Sequence, residues 1–357
     1  MKNKQIKING CVWCFILFLL TGCQTSTQER TDSNRNISGK NQLIFLDSTE
    51  ACSVIVVDKE EGFFDKVGVT DMLIQMKRPF VDSLNRAQLL DEYKNFLRTE
   101  VTNFTEEEQE FCQRIMSRIE TELGAIHPDL FPKPLRLIKL HGNHYGAGAF
   151  YTRENAILIP KQMLARRNAE GFYETMLHEI FHIYSRYHPK EKAALYELIG
   201  FKSIGSTDHL QMDEVLRSRI LLNPDGINYA YAITIEDVDR SLSAIPLIVA
   251  RARGYEADKS EFFDYLNFNL YPIRPPYSRL IKVECQNDGS SRLNIKEISG
   301  FYEQIQRNTN YIIHPDEILA DNFIFMVKAT QDARVLGQFT EEGQELIEAM
   351  MEVMKKN

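Results

Sequence analysis

His178, Glu179 and His182 fall within Glu174-Thr-Met-Leu-His-Glu-Ile-Phe-His-Ile-Tyr-Ser-Arg-Tyr187. On a helix, positions i and i+4 share a face, so the two imidazoles point the same way. Glu179 lies about 100° round from His178, beside that face. Two neutral imidazoles with a neighbouring carboxylate are what a Zn²⁺ site with a general base requires. The flanking Tyr173, Met176, Leu177, Ile180, Phe181, Ile183 and Tyr184 leave little of the segment for water, which marks a buried helix. Burying such groups without partners costs on the order of several kcal/mol. A metal ion would satisfy them directly; the plain alternative is a pair of hydrogen-bonded core histidines.

Two histidines do not close a zinc site, and two places downstream offer a third ligand. The first is His188, at the spacing of the metzincin pattern His-Glu-x-x-His-x-x-Gly-x-x-His. Ser185 stands where that pattern has glycine. The helix is therefore expected to continue through Arg186 and Tyr187, and Pro189 marks its end at His188. The second is Ile313-His-Pro-Asp-Glu-Ile-Leu-Ala-Asp-Asn-Phe323. Pro315 suits a first helical position and Asp316 a first turn. Ile318, Leu319, Phe323, Ile324 and Met326 predict a second buried helix. Glu317 and Asp321, four apart, share one face, where like charges repel. A metal and its histidine ligand would relieve both.

Taken together, the two segments resemble the thermolysin-like, or gluzincin, zinc peptidases. In that family the third ligand is a helical glutamate, followed four residues on by an aspartate that hydrogen-bonds a ligand histidine. The resemblance implies Zn²⁺ held by His178, His182 and Glu317, with Asp321 orienting a histidine and Glu179 as general base. It also implies an α+β, zincin-like domain in which a small mixed sheet with an edge strand lies over the His-Glu helix. The expected activity is hydrolysis of peptide or protein substrates by metal-activated water. The interval from His182 to Glu317 is far longer than in thermolysin itself, so an insertion over about 200–300 is expected. Tyr302, Tyr311, His209 and Tyr229 are candidate oxyanion donors, and His188 stays the rival ligand. The alternative function is a non-catalytic zinc-containing lipoprotein that binds peptide or cell-wall ligands.

The elements that must position these residues occupy an acidic chain of 357 residues, 43% hydrophobic, with a formal net charge of −8. Such a chain is a poor partner for nucleic acid or anionic lipid. Residues 1–22 look like a lipoprotein signal: a basic start, an apolar run over Cys11–Leu20 too short to span a bilayer, then Leu20-Thr-Gly-Cys23. Cys23 is the expected lipidation site, and Gln24 after it points to the outer membrane of a Gram-negative bacterium. Residues 23–45 read as a flexible tether, 46–130 as a mostly helical subdomain, and 131–357 as the catalytic domain. Of the cysteines, Cys52, Cys112 and Cys285 read as small buried hydrophobes.

Within the folded part, Cys52–Val57 suggests a strand, while Val69–Lys77 fits strand or helix. Leu84–Arg98 and Thr105–Leu123 have helical spacing, the second with acids in its first turn and a stop at Gly124. Leu135–Leu140 suggests a strand. Gly146–Thr152 and Ala156–Pro160 suggest a hairpin, its first run an exposed edge strand able to pair with an extended peptide. A helix is expected over Lys190–Ile199 and a turn at Asn223-Pro-Asp-Gly226. Strands are expected over Tyr229–Ile235, Ile245–Ala250 and Arg279–Cys285, with a rigid connector at Tyr271–Pro276.

Overall fold

The first sheet is built from β1 (Leu43–Phe45), β2 (Val101–Thr102), β3 (Leu135–Leu140), β4 (Tyr151–Arg153) and β5 (Ala156–Pro160). Its order is β1-β3-β5-β4, with β2 also paired to β3. β1 and β5 run parallel to β3, and β4 runs antiparallel to β5 with Thr152 opposite Ile157. β5 is apolar throughout, β3 is apolar except at Arg136 and Lys139, and both are almost wholly buried, as strands covered on both faces are. These features belong to a computed structural model that describes residues 43–356 except 238–239, 260 and 275–279. The signal segment, Cys23 and nearly all of the tether lie outside the described residues. No described helix is long and apolar enough to cross a membrane.

Five helices carry the rest of the argument: α1 (Arg86–Thr99), α2 (Glu106–Ile126), α3 (Ala169–Tyr187), α4 (Pro189–Leu198) and α5 (Pro315–Gln331). Asn85 caps α1 through its side chain. Thr105 and Glu108 form a reciprocal capping box on α2, which satisfies two orphan donors. α2 runs two residues past Gly124, because His127 N–H still closes onto Leu123 O at 2.9 Å. α3 and α5 pack side by side in one core with Leu137, Ile157 and Ile159 of the first sheet. Phe181 meets Phe323 there at a centroid distance of 5.6 Å.

The region between α4 and α5 forms a second sheet. It contains β6 (Phe201–Ser203), β7 (Leu210–Gln211), β8 (Ile220–Leu221), β9 (Tyr231–Asp237), β10 (Arg240–Ala250), β11 (Leu266–Arg274) and β12 (Ile281–Val283). The order is β6-β9-β10-β11-β12-β7, with β8 on β10. A second apolar cluster joins the two sheets: Ile138 and Leu158 of the first lie with Leu221 and Ile248 of the second. Phe63, Met72, Leu89 and Tyr93 from the N-terminal helices belong to the same cluster.

Several sequence expectations change. Cys52–Val57 is not a strand; Ser48–Val54 is helical, because Asp47 and Glu50 form a capping box over its first turn. That local cap overrides the preference of the β-branched run for a strand. Val69–Gln75 is a helix. Most of the expected connector, Tyr271–Arg274, is strand, and Pro272 pairs opposite Ala244. The first run of the hairpin is strand only over Tyr151–Arg153, and it is buried rather than exposed. Cys112 is buried, Cys52 and Cys285 are half-buried, and all three are free thiols.

Candidate metal centre

The α3–α5 contact brings together groups 139 residues apart in sequence. His178 Nε2 lies 2.9 Å from Glu317 Oε2, and His182 Nε2 lies 3.5 Å from the same oxygen. The opposite ring nitrogens face outward onto carboxylates of α5. His178 Nδ1 is 3.1 Å from Asp321 Oδ1, and His182 Nδ1 is 2.9 Å from Asp316 Oδ2. A carboxylate on Nδ1 fixes the tautomer that leaves the Nε2 lone pair free for a metal. Each imidazole therefore carries its orienting acid, and both Nε2 atoms converge on one glutamate oxygen. The other oxygen of Glu317 accepts from Asn223 Nδ2 at 2.6 Å.

Asp316 is better supported than its place in a first turn suggests. It is fully buried and accepts from the Ser185 hydroxyl at 2.9 Å and the Tyr196 hydroxyl at 2.8 Å. Lys192 Nζ stands 3.8 Å away. Burial pushes its carboxyl up, yet the Lys192 charge and the His182 hydrogen bond outweigh that and hold it well below the usual carboxylate range. Ser185, at the position where metzincins have glycine, thus serves the acid behind His182. As expected from that serine, α3 continues through Tyr187.

Glu179 is 4% exposed, and its Oε2 has no hydrogen-bond partner among the described residues. Burial first, then the nearby Asp225 carboxylate, pushes its pKa up to about 8. Glu179, His182 and Asp225 form a second close set, with one ligand atom from each within 4.8 Å of the others. Asp225 sits in the turn Asn223-Pro-Asp-Gly226, closed by Gly226 N–H on Asn223 O. Its Oδ1 accepts from both Thr152 N and Thr152 Oγ1 at 2.6 Å. The turn presses close on α5, since a Cβ on Gly226 would lie 2.3 Å from the His314 ring. His314 in turn caps α5, its Nδ1 accepting from Asp316 N–H.

The chemistry of this donor set fits a divalent cation. Burial opposes charge on His178, but hydrogen bonds to Asp321 and Glu317 outweigh it and raise its pKa to about 10. His182 is likewise raised, with burial opposed chiefly by Glu317 and Asp225. Buried carboxylates crowd two imidazoles and demand positive charge at this point, and one carboxylate oxygen has nothing to bind. His178, His182 and Glu317 lie close enough together to hold a metal ion, as do Glu179, His182 and Asp225. His182 Nδ1 is engaged by Asp316, so only Nε2 can ligate, and the two sets cannot hold two ions at once.

The other sequence candidates separate cleanly. His188 Nδ1 is 2.8 Å from Tyr184 O, its ring stacks on Tyr184 at 4.2 Å, and it starts α4. It belongs to neither close set. Among the oxyanion candidates, Tyr311 stacks on His178 at 5.9 Å. His209 is exposed in a short 3₁₀ turn. Tyr302 packs on Phe301, and Tyr229 packs with the second sheet. Asn223, Asp225 and Asp316 were missed as site residues. The sequence signals were the Asn-Pro-Asp-Gly turn for Asn223 and Asp225 and the first turn of α5 for Asp316, each of which accounts for its residues locally. Compared with models of known families, with curated proteins and with solved structures, the chain finds no match.

Proposed function

We propose that the chain is a zinc-dependent metallopeptidase with a zincin-like site, tethered to the cell envelope through lipid on Cys23. The observation that carries this reading is the convergence of two imidazole Nε2 atoms on Glu317 Oε2, with an unpartnered buried Glu179 oxygen beside them. His178, His182 and Glu317 would hold Zn²⁺, which suits three N/O ligands with a position left open. When bound, the ion supplies Lewis-acid polarisation and acidifies water. Asp321 and Asp316 keep both imidazoles in the ligating tautomer. Asn223 fixes the rotamer of Glu317 by occupying its second oxygen.

The free lone pair of Glu179 takes the proton of the attacking water and returns it to the leaving amine. Tyr311, against His178, is the donor best placed for the developing oxyanion. α3 and α5 present these groups from rigid elements, which keeps the constellation oriented before substrate arrives.

Metal analysis and peptide turnover test the reading together. The unaltered chain is expected to carry about one zinc, to lose it with Glu317→Ala, and to keep it with His188→Ala. Glu179→Gln is expected to keep zinc and lose about 10²–10⁴-fold in turnover. Loss of metal on His188→Ala with retention on Glu317→Ala would overturn the ligand set. Zinc-loaded Glu179→Gln with undiminished hydrolysis would overturn the mechanism. An unaltered chain that holds zinc and binds peptides without hydrolysing them would favour the non-catalytic alternative.

A further inference from the structure

We propose that Asp225 receives the free α-amino group of the substrate, so that the centre removes single residues from the amino terminus of a peptide. This rests on the metallopeptidase reading and adds the substrate class.

The argument begins at the edge of the first sheet. β4 is the terminal strand in the order β1-β3-β5-β4, where an extended peptide would pair, but all three of its residues are buried and its outer edge is closed at Thr152. Its N–H is already donated to Asp225 Oδ1, and its hydroxyl donates to the same oxygen. Arg186 holds the hydroxyl from behind at 2.8 Å. A substrate lying along β4 cannot continue pairing past Asp225, so one of its ends must stop there.

Hydrogen-bonding capacity decides which end. Asp225 and Glu179 present carboxylate oxygens at this point, to which an ammonium can donate, whereas a substrate carboxylate can only accept. Both hydrogen bonds that Asp225 accepts fall on Oδ1, leaving Oδ2 without one among the described residues. Asp225 is 5% exposed, so a protonated amine would meet it in a largely dry setting, where charge-assisted hydrogen bonds are strong.

Distance then fixes the bond that is cut. Ligand atoms of Asp225, Glu179 and His182 lie within 4.8 Å of one another. In a peptide the α-nitrogen is two bonds from the carbonyl carbon of its own residue, and every further residue adds about 3.3–3.6 Å. An ammonium on Asp225 therefore places the first peptide bond nearer to Glu179 than any later one. A small cavity of about 40 Å³, lined by Asp225 and by Phe150, Pro224, Phe262, Tyr311 and Ile313, adjoins the turn and offers a mostly apolar surface beside the first residue.

The test compares Leu-Ala-Ala amide with its N-acetyl form. Calorimetric titration into the full chain carrying Glu179→Gln, metal-free and zinc-loaded, is expected to show the free amine binding about tenfold tighter or more. Adding Asp225→Asn, which keeps an acceptor oxygen for Thr152, should bring that ratio close to one. With the unaltered chain, mass spectrometry should find single residues released from free-amine peptides only. Equal binding of the two peptides overturns the assignment, and that comparison needs no change at Asp225. An undiminished ratio in a folded Asp225→Asn protein overturns it too. Internal cleavage of an acetylated polypeptide would sink the assignment while leaving the metallopeptidase reading intact. A preserved amine preference with no hydrolysis of either peptide would sink that reading and keep Asp225 as an amine site.

Discussion

Replacing Asp316 with asparagine probes the support behind His182 more sharply than replacing the histidine. Asp316 is completely buried and accepts from the His182 ring, the Ser185 hydroxyl and the Tyr196 hydroxyl, with Lys192 close by. Asparagine keeps the shape but turns one acceptor oxygen into a donor. At least one buried donor then loses its partner, at about 1–3 kcal/mol. Lys192 also loses one of its two carboxylate partners but keeps Glu61 at 3.7 Å, so the added cost is smaller than the about 3–5 kcal/mol of a fully broken buried pair. A total of about 3 kcal/mol is expected for the metal-free protein, read from urea midpoints in the presence of chelator. His182 also loses the acceptor that fixes its tautomer, so zinc affinity, measured by competition with a chromogenic chelator, should fall about 10–100-fold. Asp321→Asn is the internal control. Asp321 is about a quarter exposed and, among the described residues, bonds His178 and Thr309 alone. It should cost a similar factor in zinc affinity but only about 1 kcal/mol of stability. An Asp316→Asn protein with zinc affinity within about twofold of the parent would refute the idea that α5 sets the histidine tautomers.

Other outcomes follow from the same coordinates. Asp71 is fully buried, accepting from Leu222 N–H and the Gln75 amide, and burial raises its pKa from 3.8 to about 6. A raised folded-state pKa means stability present below pH 4 is lost as pH rises through 6, by about 3 kcal/mol; relative to the parent, Asp71→Asn should gain that amount between pH 4 and 7 in urea titrations, and a constant difference would refute it. Gly226→Ala would drive a methyl into the His314 ring that caps α5. Overpacking of about 1–3 kcal/mol and weaker zinc binding are expected in denaturation and chelator assays. Arg186 is buried and spans Glu61, the Glu154 carbonyl and the Thr152 hydroxyl. Lysine cannot reproduce that fork, so Arg186→Lys should cost about 2–3 kcal/mol, seen as a lower urea midpoint.

What could be read in advance from the chain was whatever repeats along a helix. The periodic apolar faces of α3 and α5 place His178, His182, Glu317 and Asp321 each on a definable side, and burial of charge on both helices already asks for a shared partner. Their proximity follows from two stripes that can only be buried against each other. Strands were legible where they are apolar, throughout β5 and in β3 apart from Arg136 and Lys139, and the helix Ser48–Val54 was illegible because a two-residue cap outweighed the β-branched run. Asp316 was hidden for a different reason. A first-turn acid is fully explained by the helix dipole, so nothing in the sequence required a second role. Asp225 and Asn223 are the stronger case: Asn-Pro-Asp-Gly accounts for itself as a turn, yet a turn between strands of an inserted sheet has no periodicity to say which way it faces. Only the fold brings its acid onto Thr152 and its amide onto Glu317. The proposed metal ligands are constrained by the helices they ride on, whereas Asn223 and Asp225 come from the region between α4 and α5, where local pattern carries no information about direction.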